Sequence, residues 1–374
     1  MNDKDKDNDK GGKGRFISFN ADLEPGGLLQ GLRDLVAENK DLQLCYRGNS
    51  GDVIVVYYNN HIMFKVKKYT QKYKNKQFLL TISFNHARYE KDWQEILYDL
   101  QKNHHFEKRG NKKIADEDDD GYLICRFNNS DDIKWKELYE LLKSLMNNFF
   151  DDTNVEVTDY FKKDLPLVRK KRYKEKQWQQ RIFSANANYN DGYFIYDMEF
   201  AKPHENKNEA DNDGNNNEPD MLAIKYEKTK PVKLAIIEVK STWDACEDPK
   251  SGACEHIRKT AGELDKFFKT EEKIFIETRI EEAEDIIKGY ATIKLRELEQ
   301  TPNLDFGNLD FEILMVFTDY DPKDSKDKTK PAIPWAKSEK NIEKMKEAAQ
   351  GYQQKLVFAT VKENGELDFK KLIG

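Results

Sequence analysis

The segment Leu-Ala-Ile-Ile-Glu-Val-Lys, residues 234–240, most constrains what this chain of 374 residues can fold into. An apolar run of this kind suits a strand near the centre of a sheet, buried on both faces. Side chains alternate along a strand, so Glu238 and Lys240 point to one face and Val239 to the other. Burying charged groups at the end of an apolar strand is costly unless they serve a purpose. Met221 to Tyr226 reads as a second strand, opened by Pro219-Asp220. If the two strands pair, the Asp220 and Glu238 carboxylates converge with the Lys240 amine beside them.

That grouping suits a definite chemistry. Two carboxylates bind Mg²⁺, which prefers oxygen ligands and keeps several waters. A bound divalent ion lowers the pKa of its water and steadies charge on a phosphate. A neighbouring lysine orients that water, takes its proton, or offsets the developing charge. The Glu-x-Lys triplet alone carries little weight, because Glu38-Asn39-Lys40, Glu205-Asn206-Lys207 and Glu271-Glu272-Lys273 also match it. Only Glu238 and Lys240 close an apolar strand. The plain alternative is an ordinary ion pair at a strand end.

Pro219-Asp220 and Glu238-Val239-Lys240 together resemble the motif of the PD-(D/E)xK nuclease superfamily. The resemblance covers about Arg172 to Val361. It implies an α/β restriction-endonuclease-like core, αβββαβ with a mixed sheet, in the C-terminal half. It further implies a metal-dependent endonuclease that hydrolyses phosphodiester bonds of nucleic acid, DNA first, using Mg²⁺ or Mn²⁺. Asp220 and Glu238 would hold the metal and Lys240 would act on the water. The first core helix of that family often supplies another acid, which places Glu175 in the metal shell. Glu199, at the end of the first strand, is a further candidate. A long polar loop before Pro219 departs from compact members. Restriction or genome defence, and a homodimer that cuts two strands, are expectations by association alone. The alternative is a catalytically inactive nuclease-fold module that binds nucleic acid or a protein partner.

Basic residues flank this constellation. Lys170, Lys171 and Arg172 precede the core and suit phosphate contacts, which dominate non-specific nucleic-acid affinity. His256, Arg258 and Lys259 lie on a predicted helix after the Glu-x-Lys strand, where they would hold the scissile phosphate. A solvated linker and a plain surface helix are the competing readings. The net charge of −6 gives no global support for nucleic-acid binding, so any such surface is local.

The length suggests two domains. Residues 1–14 alternate Asp, Lys and Asn and read as a tail without fixed structure. Residues 15–160 read as an α+β domain: a helix over Leu28 to Asn39, strands over Asp52–Tyr58, His61–Lys67 and Gln77–Phe84, a helix over Tyr89–Asn103, a strand over Gly121–Phe127 and a helix over Trp135–Phe149. Asn59-Asn60 suits a tight hairpin turn. Residues 161–374 form the nuclease-like domain. There the pattern predicts a helix over Tyr173–Ala187, a strand over Tyr193–Phe200, the two strands above, helices from Glu255 to Lys269 and from Glu281 to Glu299, a strand over Phe311–Thr318, a helix over Glu339–Gln350 and a strand over Lys355–Val361. Phe194, Tyr196, Met198 and Phe200 would share one core face. Cys45, Cys125, Cys246 and Cys254 match no disulfide framework or paired zinc knuckle, and free thiols are expected. No apolar run approaches the ~20 residues of a membrane span, so a cytoplasmic protein without membrane contact is expected.

Overall fold

The computed structural model describes residues 19–47, 53–58, 61–73, 76–83, 100–102, 106–109, 122–150, 166–198, 219–269, 274–292, 295, 303–305, 309–318 and 330–370. They form a mixed α/β structure with two six-stranded sheets. The tail at 1–14, Asn59-Asn60, nearly all of the helix expected over Tyr89–Asn103, and the polar loop up to residue 218 lie outside the described residues.

The first sheet comprises β1 (Leu42–Arg47), β2 (Val53–Tyr58), β3 (His61–Tyr73), β4 (Lys76–Ser83), β5 (Glu107–Arg109) and β6 (Tyr122–Phe127). Its order is β1-β2-β3-β4-β6-β5, antiparallel throughout. Helices α1 (Asn20–Leu23), α2 (Gln30–Glu38) and α3 (Trp135–Phe150) contribute Leu23, Leu32, Leu35, Trp135, Leu138 and Leu142 to the same core as Leu44, Tyr46, Val56, Phe64 and Phe78. Burying each such side chain contributes about 1.5–3 kcal/mol. Strand β1 is not among the elements expected from the sequence, although Leu42, Leu44 and Tyr46 alternate inward.

The C-terminal half begins with α4 (Pro166–Ala185). Pro166 is its first residue rather than a break before it, a position where proline's missing N–H costs nothing. Then come β7 (Gly192–Met198), β8 (Met221–Glu227) and β9 (Lys230–Lys240). Helices α5 (Trp243–Glu247), α6 (Ala253–Lys269) and α7 (Ile274–Thr292) come next, then β10 (Asp310–Phe317), α8 (Ala332–Ala336), α9 (Glu339–Ala348), β11 (Leu356–Val361) and β12 (Leu367–Asp368). The sheet order is β12-β11-β10-β9-β8-β7. Strands β9, β10 and β11 are parallel, while β7-β8, β8-β9 and β11-β12 are antiparallel pairs. The β8–β9 turn puts Lys228 (φ 48°) and Thr229 (φ 66°) in the left-handed region, matching the twist of a tight hairpin.

Strand β9 is buried on both faces. Leu234 and Ile236 join one core cluster, and Ala235, Ile237 and Val239 join another. Helix α6 covers the first face beyond Ile236 with Ala253, Ile257, Ala261 and Leu264, a stripe at helical spacing. Helix α4 covers the opposite face with Ile182 and Phe183.

Three expectations need correction. A register shift between Ile195 and Asp197 breaks the alternation of β7, so Met198 joins the opposite core from Phe194 and Tyr196. Such a bulge adds one residue and flips the facing of the residues after it; Phe200 lies outside the described residues. Helix α7 starts at Ile274 and ends at Thr292, not Glu281 to Glu299. Helix α9 ends at Ala348, because Gln350 (φ 41°) and Gly351 (φ 98°) turn the chain away.

The two sheets are joined by side chains as well as by sequence. Tyr290 donates its hydroxyl to the Leu44 carbonyl at 3.0 Å and stacks at a tilt on Tyr46. Gln43 Nε2 donates to Ser184 Oγ, and Gln180 Nε2 to the Asp41 carbonyl, both at 2.6 Å. Cys45, Val55 and Tyr57 reach through the back of the first sheet into the core beneath α4.

Candidate active site

The carboxyl end of β9 gathers the charged residues of this half. Met221 pairs with Ile237 across the β8–β9 ladder, so one step further Asp220 comes level with Glu238. The Asp220 carboxylate is held twice. Val239 N donates to Oδ2 at 2.7 Å and Gln179 Nε2 donates to Oδ1 at 2.6 Å. Gln179 stands one turn along α4 from Glu175, which receives a weak 3.5 Å bond from Ser241 Oγ. Helix α4 therefore brings two side chains to the strand ends from one side of the sheet.

Helix α6 approaches from the other side. His256 Nδ1 lies 2.9 Å from Glu238 Oε2, and Lys240 Nζ lies 3.9 Å from the same oxygen. The Glu238 side chain has no exposed surface, Lys240 keeps 6% and His256 18%. Despite that closeness, Glu238 Oε1, Glu238 Oε2 and His256 Nδ1 are buried without a hydrogen-bond partner. The imidazole is near the carboxylate but not aligned to donate to it. Among the described residues only five buried side-chain polar atoms are so orphaned, and three of them meet here. A fourth, Thr318 Oγ1, stands just past β10, where Thr318 N donates to the Lys240 carbonyl at 3.0 Å.

The electrostatics result from this crowding. Burial, and next the negative charge of Glu238, push Asp220 up from 3.8 to about 7. Burial pushes Glu238 from 4.5 to about 7, against the pull of Lys240. Burial also raises Glu175. Glu175 and Asp220 keep some residue surface, yet their carboxyl groups are enclosed. Lys240 is pushed down by burial, but Glu175, Glu238 and Asp220 together outweigh it and hold its pKa above the ordinary value. Burial and the Lys240 charge lower His256 to about 4, so its imidazole is neutral at pH 7.

The structure thus brings Glu175, Asp220, Glu238, Lys240 and His256 together. It does not bring Arg258, whose guanidinium pairs with Glu255 on the exposed face of α6. Lys259 is tied to the Lys250 carbonyl at 3.1 Å and to Glu255 at 4.0 Å. His256 faces the Glu238 carboxylate. Glu199 and the side chains of Lys170, Lys171 and Arg172 lie outside the described residues. No two of the four cysteines are joined in a disulfide, and Cys246 is buried. Sequence reasoning missed Gln179, Ser241 and Thr318; Gln179 carried one signal, its i+4 spacing from Glu175 on a helix.

The donor chemistry fits a divalent cation. Three carboxyl groups outnumber the one ammonium at the centre, and two of their oxygens are orphaned in a buried place where an unpaired charge is costly. Glu175, Asp220 and Glu238 are the residues that would hold the ion. Among the described residues no group of three or more His, Cys, Asp or Glu side chains already stands ready to hold a metal, so binding requires the side chains to close in. No helix among the described residues is long and apolar enough to cross a membrane.

Comparison of the chain with family models, with curated proteins and with solved structures finds no match.

Proposed function

We propose that this chain is a metal-dependent nuclease of the PD-(D/E)xK type, hydrolysing phosphodiester bonds in nucleic acid, DNA before RNA. One observation carries the reading: the fully buried Glu238 carboxyl receives no N–H donor and is crowded by two other carboxyl groups and a charged lysine. The order α4-β7-β8-β9-α5-α6-α7-β10, an antiparallel meander and then a parallel crossover through three helices, supports a restriction-endonuclease-like core. Ligands of open α/β sheets bind outside the carboxyl ends of the strands, which is where these side chains meet.

The residues divide the work. Asp220 is fixed by Val239 N and Gln179, so its carboxylate arrives preorganised. A divalent cation would supply an activated water and neutralise charge on the phosphate. Lys240 keeps its proton at neutral pH, which suits it to donate hydrogen bonds to the attacking water or the phosphate oxygens rather than to act as base. The reaction joins the water oxygen to phosphorus and breaks the bond to the leaving sugar oxygen, the attacking water losing a proton to solvent and the sugar oxygen taking one from it. Val239 and the core beneath it exclude bulk water from one side.

The test is incubation of the purified chain with plasmid DNA, linear DNA and RNA, with and without Mg²⁺ or Mn²⁺. Metal-dependent cutting that disappears in Asp220→Ala and Lys240→Ala supports the enzyme. Binding without cutting in any metal identifies an inactive nuclease-fold module instead.

A further inference from the structure

We propose that His256 is itself a ligand of the divalent cation, giving this site a preference for a first-row transition cation such as Mn²⁺ over Mg²⁺. The inference rests on the metal-dependent reading above and goes beyond it in naming the imidazole as a donor and the ion it selects.

Geometry carries the assignment. His256 Nδ1 and Glu238 Oε2 are 2.9 Å apart, both buried, and no N–H is aligned between them. A divalent cation on their common side would satisfy both atoms at once. Lys240 Nζ, at 3.9 Å from Glu238 Oε2, is too far to satisfy that oxygen by a hydrogen bond. The fold presents this nitrogen rather than leaving it to chance. His256 N donates to the Gly252 carbonyl at 3.0 Å, inside the first turn of α6, and the next residue, Ile257, is fully buried. Gly252 fixes the approach, since a Cβ there would stand 2.3 Å from the Asp248 carbonyl oxygen.

Ligand type then decides the ion. Mg²⁺ takes oxygen ligands in a near-ideal octahedron. Imidazole suits later first-row ions such as Fe²⁺, Ni²⁺ and Zn²⁺, and Mn²⁺, lowest in that affinity order, is the member of the row that shares the oxygen ligands of Mg²⁺. A mixed carboxylate and imidazole set therefore gains more from Mn²⁺ than from Mg²⁺.

The experiment is calorimetric titration of the metal-free full chain with MnCl₂ and, separately, MgCl₂, in wild type and His256→Ala. Wild type is expected to bind Mn²⁺ more tightly than Mg²⁺. His256→Ala should weaken Mn²⁺ by about tenfold or more, the scale on which even outer-shell partners matter, and leave Mg²⁺ nearly unchanged. Equal loss of both ions would make His256 a support for Glu238 and overturn the assignment, as would no loss of either. A readout independent of any variant is the electron spin-echo modulation of the wild-type chain loaded with one equivalent of Mn²⁺. Coupling to a nitrogen that changes on ¹⁵N-histidine labelling supports direct ligation, and its absence overturns it. If the wild type binds neither ion, the nuclease reading falls as well; if it binds both and shows no histidine coupling, only the present inference falls.

Discussion

The two sheets have six strands each but differ in how they treat the carboxylates buried in them. In the first, the charge nearest the core is settled locally: Asp22 meets Lys68 at 2.6 Å, and the central strands contribute Val56, Phe64, Val66, Phe78 and Leu80 to one apolar core. In the second, Glu312 is likewise satisfied, by Lys233 at 3.1 Å and by the Tyr193 hydroxyl. At the other end of the same sheet, three carboxyl groups crowd one lysine and Glu238 is left without an N–H donor. One fold therefore contains both the ordinary solution for a buried charge and a deliberate departure from it. Departures of this kind concentrate where a site is kept ready for a ligand.

The contrast breaks most sharply at Lys240. Lys240→Ala removes the central cation, which should reduce cleavage about a hundredfold to a thousandfold. The metal-free variant should also lose about 3–5 kcal/mol at pH 8, measured by urea unfolding. Phe64→Ala, in the first sheet beside Trp135, should cost a similar amount, about 3–5 kcal/mol. The two differ in pH response: the Lys240→Ala loss shrinks in acid as the carboxyls protonate, whereas the Phe64→Ala loss stays level. A Lys240→Ala penalty as flat with pH as the Phe64→Ala penalty would show that the crowded carboxyls are not the cause.

Glu238→Gln turns the comparison around. It should abolish cleavage and the response to metal, yet stabilise the metal-free chain by about 1–3 kcal/mol at pH 8 by removing a buried charge. An inactive variant that is also less stable would contradict the idea that the wild type carries an electrostatic cost here.

The pH dependence sharpens the same point. Asp220 and Glu238 have folded pKa values near 7 against ordinary values of 3.8 and 4.5. Raised carboxyl values mean that the folded chain holds protons the unfolded chain has released. Their contribution to stability is thus full below about pH 4 and is lost as pH rises through about 7. Without divalent ions, the difference in melting temperature between wild type and Glu238→Gln should widen across that window. Mn²⁺ should raise the wild-type melting temperature more at pH 8 than at pH 5. A metal-induced rise of equal size at both would count against carboxylate ligands.

The smallest effect is expected at the β8–β9 turn, which sets the register of Asp220 against Glu238. Thr229 is β-branched and sits at φ 66°. Thr229→Gly should relieve that strain and raise stability by about 0.5–1 kcal/mol with cleavage unchanged. A loss of stability would mean that glycine's entropy in the unfolded chain outweighs the strain relieved.

Local patterning explains why part of this was legible in the sequence. The alternation of residues 234–240 is enough to put Glu238 and Lys240 on one face, and the apolar run is enough to make the strand central. The helical stripe of α6 is equally local. Features that could not be read depend on register or on distant pairing. The β7 bulge leaves no mark in composition, so simple alternation puts Met198 on the wrong face. The place of His256 against Glu238 depends on how α6 lies across the sheet, and that is set by packing of Ala253 and Ile257 rather than by spacing. Short helices α5 and α8 are too brief to show a period. The pairing of Gln179 with Asp220 spans 41 residues and two elements.

Adjacent residues on α4 have different anchors: Gln179 grips the Asp220 carboxylate and Gln180 grips the Asp41 backbone in the other half of the chain. Successive side chains leave a helix about 100° apart. A rod fastened in two directions at one level cannot roll about its own axis without releasing a fastening. The bearing of Glu175, one turn earlier, is therefore locked by a contact with the first half of the protein.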